Sequence, residues 1–112
     1  MNPIFIDLLK GRFRDYSKLA GRPDVQLVVD EARSYLSRST SSFDVIQMSL
    51  IDTFAATSAG AFSLSENGLY TVNGWKIFLS RLTPRGIFTV SRWYTPGNLG
   101  ETGRVVSMAM AT

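Results

Sequence analysis

The sequence predicts an α/β fold with three mainly parallel strands and flanking helices. Three observations predict it. VQLVV at 25–29, FDVIQM at 43–48 and IFTVSR at 87–92 are short apolar or β-branched runs of strand length. Around them lie segments whose apolar residues recur at spacings of three and four, the period of a helix. Strands alternating with helices imply parallel pairing through right-handed crossovers. The element order is α-β-α-β-loop-α-β-α, in one domain over residues 1–112.

Ile4, Phe5, Leu8, Leu9, Phe13, Tyr16 and Leu19 form one stripe of a first helix. Asn2 is its cap, and Pro3 takes the first position, where a missing N–H costs nothing. Gly21, Arg22, Pro23 and Asp24 end it and turn the chain. The runs at 25–29 and 43–48 read as strands buried on both faces. Between them, after Asp30 and Glu31, Ala32, Tyr35 and Leu36 share one side of a short helix ending near Arg38. Residues 39–42 are a polar loop. Residues 49–68 are irregular and rich in small side chains. Leu69 and Tyr70 lead into a helix with Val72, Trp75, Phe78, Leu79 and Leu82 as its stripe. Thr83-Pro84-Arg85-Gly86 breaks the chain before the third strand. Residues 94–100 form a loop, and 101–111 a last helix with Val105, Val106, Met108 and Ala109 inward. Neither an internal repeat nor a dividing linker is present.

Apolar residues at 45% and charged residues at 19% suit a globular core. Cysteine and histidine are both absent. Disulfides, thiolate zinc sites, Cys nucleophiles, Ser-His-Asp catalysis and the near-neutral proton shuttle are therefore excluded. Chemistry must run on carboxylates, hydroxyls, Tyr, Lys, Arg or a bound cosubstrate. Net charge is +3, with 12 basic and 9 acidic residues. The densest cations, Lys10, Arg12, Arg14 and Lys18, are interrupted by Asp15 and read as a solvated helix face, not a nucleic-acid footprint. No apolar run approaches the roughly 20 residues that span a bilayer. No signal peptide is visible. The expectation is a cytoplasmic chain without a nucleic-acid partner or membrane segment.

Ligands of open α/β sheets bind beyond the carboxyl ends of the strands. That rule selects Asp30 and Glu31, then Ser49 and Asp52, then Arg92, Trp93 and Tyr94. Asp30 and Glu31 can accept hydrogen bonds from an amine or hydroxyl of a nucleotide-like ligand. Their competing role is to cap the helix that follows. Asp52 suits a loop or cap, Tyr70 and Trp75 suit the core, and Arg92 suits an anionic ligand or a surface ion pair. Neither GxGxxG nor GxxxxGK[ST] occurs.

Taken together, VVDEARSYL, FDVIQMSLID and GLYTVNGWKIFLSRLTPRGIFTVSRW resemble the spermidine synthase family, within the S-adenosylmethionine-dependent methyltransferase folds. The likeness covers almost the whole chain. It implies a partial Rossmann-like methyltransferase sheet, and S-adenosylmethionine or its decarboxylated form as cosubstrate, with no metal. Glu31 and Ala32, with Asp30 beside them, match the residues that hold the adenine end. The resemblance implies a catalytic set of Ser49, Asp52 and Tyr70. Ser49 stands where the family has an Asp that positions and deprotonates the attacking amine. A hydroxyl without a nearby histidine is a poor base and holds no ammonium by charge. Asn2-Pro3 resembles the residues just after the family's ribose-binding acidic position. The first strand and glycine-rich loop thus have no counterpart, nor do the strands after Ala111.

The resemblance therefore implies a partial domain with a residual adenosyl-binding strand end, weakly active or inactive alone. Without the family's first two strands, the runs at 25–29 and 43–48 lose the strands between them. Re-paired strands, a homodimer or a partner supplying the missing strands is then expected. Two alternatives are a non-enzymatic dimeric interaction module and an enzyme split across two chains.

Overall fold

A computed structural model describes residues 2–49, 68–91, 96–97 and 100–112. The protein is mixed α/β. In chain order the elements are α1 (Pro3–Lys10), α2 (Arg14–Ser17), α3 (Ala32–Arg38), β1 (Phe43–Met48), α4 (Val72–Ser80), β2 (Leu82–Val90) and α5 (Gly100–Ala111). Two compact units divide the chain, Met1–Tyr35 and Leu36–Thr112.

In the first unit the helix starts as its sequence directs. Asn2 Oδ1 accepts from the Ile4 N–H at 2.9 Å, and Pro3 is the first helical residue. The expected single helix is two helices, however. α1 stops at Gly11, whose N–H donates to the Asp7 carbonyl at 2.9 Å. Glycine costs about 1 kcal/mol against alanine inside a helix. α2 ends at Lys18, which sits in the left-handed region at φ 54°. The stripe is cut, and its faces differ from expectation: Ile6, off the stripe, is buried, while Ile4 and Phe5 are 65% and 63% exposed.

Residues 25–29 lie outside the sheet, which corrects the expected first strand. β-branched composition favours a pleated, half-buried surface but does not supply one. Val29 is exposed.

The sheet of the second unit is a parallel pair, β1 with β2, so two strands replace three among the described residues. β1 has the expected bounds. Its register with β2 pairs Val45 with Ile87, Ile46 with Phe88, Gln47 with Thr89 and Met48 with Val90. The strands are not buried on both faces. Met48 is buried and Ile46, Phe88 and Val90 are half-buried, whereas Val45 and Ile87 are each 59% exposed.

Thr71 starts α4 by accepting from the Gly74 N–H at 3.0 Å through its hydroxyl. α4 lays Trp75 and Phe78 against Phe88 of β2. Both contacts are edge-on, with ring centroids 5.1 Å and 5.7 Å apart. With Leu36 and Met48 these residues make the core. α5 packs against α4. Val105 and Met108 are half-buried as expected, but Val106 and Ala109 are exposed.

The expected breaker lies inside β2, which begins at Leu82 rather than Ile87. Between the Phe43–Leu82 and Val45–Ile87 pairs, Thr83-Pro84-Arg85-Gly86 forms a bulge. Bulges are where a sheet tolerates proline. A Cβ at Gly86 would lie 2.9 Å from the Phe43 carbonyl oxygen and 3.0 Å from both Leu82 Cβ and Thr83 N. The Thr83 hydroxyl donates to Asp44 Oδ1 at 2.8 Å. Arg81 then ties the strand's start to α3: its Nε and Nη2 donate to the Leu36 and Ser37 carbonyls at 3.0 Å and 3.3 Å. These are last-turn carbonyls, which a helix leaves unsatisfied and which favour a cation.

Candidate functional site

Asp30, Glu31 and Ala32 form the turn that opens α3. Asp30 Oδ1 accepts from the Glu31 N–H at 2.8 Å. Glu31 Oε1 accepts from the Arg33 N–H at 2.9 Å, and Oε2 from the Ser34 N–H at 2.8 Å. Glu31 thus performs the capping role. It satisfies two N–H groups that the first turn would leave without partners. Partial burial works to raise its carboxyl, but the Arg33 and Ser34 N–H groups, the Ser34 hydroxyl and the Arg33 charge together hold it below the ordinary value. Since 25–29 is not a sheet strand, this turn is a helix start rather than a strand's carboxyl end.

Capping and ligand contact are compatible at Glu31. An ionised carboxylate offers about four acceptor sites; the two N–H bonds use one on each oxygen, and the Ser34 hydroxyl takes a further one. The side chain belongs to an exposed residue. An exocyclic amine or a ribose hydroxyl could add a bond without displacing the cap. That spare capacity is compatible with the adenine contact that the resemblance implies. The chain carries no glycine-rich phosphate-type loop to hold the other end.

Ser49 follows β1 and is exposed just past its carboxyl end, where ligands of parallel sheets bind. The ladder closes beside it, with the Ser91 N–H donating to the Met48 carbonyl at 3.0 Å. Tyr70 is half-buried ahead of α4, its hydroxyl oxygen shielded from solvent. The Thr71 hydroxyl donates to the Gly68 carbonyl at 3.1 Å and so fixes the turn that carries Tyr70. Asp30, Glu31 and Ala32 belong to the first unit, Ser49 and Tyr70 to the second. Asp52, Arg92, Trp93 and Tyr94 lie outside the described residues.

Trp75 is a core residue, as its spacing implied. Its buried Nε1 has no acceptor among the described residues. The sequence reading gave Arg81 no role beyond its charge and took Gly86 only as part of a break. The only signal for them was position, at the junction of α4 with β2 and inside the Pro-Gly turn. Among the described residues no cluster of carboxylates could hold a metal ion. None of their helices is long and apolar enough to cross a membrane. Comparison with protein-family models and with curated proteins finds no match for this chain.

Proposed function

We propose that this chain is a partial spermidine synthase-like domain that retains an adenosyl contact and has little or no catalysis alone. The observation that carries the reading is the Glu31 turn: a low-pKa, exposed carboxylate with acceptor capacity left after capping α3. Asp30 and Ala32 flank it. By the resemblance, Ser49, Asp52 and Tyr70 are the residues that would serve the transfer chemistry. Ser49 supplies a hydroxyl for orientation, not a base or a counter-charge for an amine. S-adenosylmethionine or its decarboxylated form would supply the electrophilic carbon when bound.

Thermal shift with S-adenosylmethionine, its decarboxylated form and methylthioadenosine tests this. A ligand that binds only the folded state raises its stability. Glu31→Ala removes cap and contact together. Glu31→Ser keeps a good N-cap and removes only the carboxylate. A shift in the wild type that Glu31→Ser abolishes supports the reading; no shift with any of the three compounds refutes it.

A second reading, a non-enzymatic dimeric module, is favoured by the open sheet face at Val45 and Ile87. Size exclusion with light scattering distinguishes it: a dimer dispersed by Val45→Glu, with no adenosyl response, supports the module over the remnant site.

A further inference from the structure

Much of the N-terminal stripe that the sequence turns inward lies open in the structure, with Leu8 and Leu9 half-buried. Ile4 and Phe5 are exposed, Tyr16 is 90% exposed, and Phe13 and Leu19 are exposed as well. Apolar surface of this kind gains free energy when it leaves water. The cations of the same segment, Lys10, Arg12, Arg14 and Lys18, are also exposed, against two carboxylates at Asp7 and Asp15. Among the described residues none of the four is in an ion pair. The Arg12 guanidinium sits 5.7 Å from the centre of the Phe13 ring.

We infer that residues 3–19 dock onto an anionic lipid surface. Phe5, Phe13 and Tyr16 enter the headgroup boundary, and the four cations meet the lipid charges. Aromatic side chains with Lys and Arg beside them are the composition that rests at this boundary. α1, at eight residues, lies along the surface and does not cross it. Charge selects this occupant over a second copy. Two copies meeting through this patch would set like charges against each other.

Co-sedimentation of the full chain tests it, with vesicles of phosphatidylcholine alone and of phosphatidylcholine mixed with phosphatidylserine. Binding is expected to the mixed vesicles and to weaken with added salt. Each cation near such a surface contributes about fivefold in affinity, so Arg12→Gln with Arg14→Gln should weaken binding about twenty-five-fold. Tyr16→Ser, at a side chain already in water, should weaken it at every salt concentration with the unfolding midpoint unchanged. No binding to the mixed vesicles overturns the inference. So does binding that ignores both salt and the paired arginine change. A concentration-dependent dimer that Tyr16→Ser disperses also overturns it and assigns the patch to a second copy.

Discussion

Phe88→Ala should clearly destabilise the second unit. Phe88 meets Trp75 and Phe78 edge-on from β2, and both partners are almost fully buried. Phe-to-Ala changes in cores cost about 3–5 kcal/mol, and aromatic pairs add about 0.5–1.5 kcal/mol. Phe88 is only half-buried, which places the expected loss near the bottom of that range, about 3 kcal/mol. That is a large share of the roughly 5–15 kcal/mol that holds most domains folded. Urea unfolding followed by tryptophan fluorescence reads it, with Trp75 as a reporter beside the ring. The midpoint should fall with the slope unchanged. Val45→Ala, on the exposed face, should stay within about 0.5 kcal/mol of wild type. A Phe88→Ala loss under about 1 kcal/mol, or one matched by Val45→Ala, would refute a core built from α4 on one face of the sheet.

Gly86→Ala should cost about 1–3 kcal/mol, because the new Cβ meets the Phe43 carbonyl and the neighbouring backbone. Faster exchange of the Phe43 amide, which donates to the Arg81 carbonyl at 2.8 Å, should accompany the loss. Thr71→Ala should cost about 1 kcal/mol in denaturant unfolding, and Thr71→Ser should restore most of it. Glu31 is held below its ordinary pKa in the fold. Its contribution is therefore complete above the unfolded carboxylate value of about 4.3 and lost as pH falls through the folded value. The thermal midpoint of the wild type should drop toward that of Glu31→Ser on acidification. A gap that widens as pH falls would contradict the cap's charge-dependence.

Local chemistry was legible in the sequence wherever it sufficed by itself. Asn2-Pro3 opened α1, Phe43 to Met48 ran as β1, and the helix that follows Leu69 and Tyr70 is α4. Errors arose where a partner decides the outcome. The VQLVV run has strand composition, yet a ladder needs a neighbour, and among the described residues the sheet has β1 and β2 alone. The stripe from Ile4 to Leu19 has helical spacing, but spacing cannot say which face is covered or that Gly11 divides it. Pro84 and Gly86 read as a break because a bulge and a turn use the same residues; the register tells them apart. At the candidate site, the capping and ligand roles of Glu31 were both open from sequence. The hydrogen bonds from Arg33 and Ser34 establish the first and leave room for the second.

Calorimetric titration of methylthioadenosine into the full chain, wild type beside Glu31→Ser, bears most directly on the adenosyl contact. Saturable binding in the wild type, lost in a Glu31→Ser chain that remains folded, is the expected result. Absence of heat in the wild type, or equal binding by both chains, would contradict it.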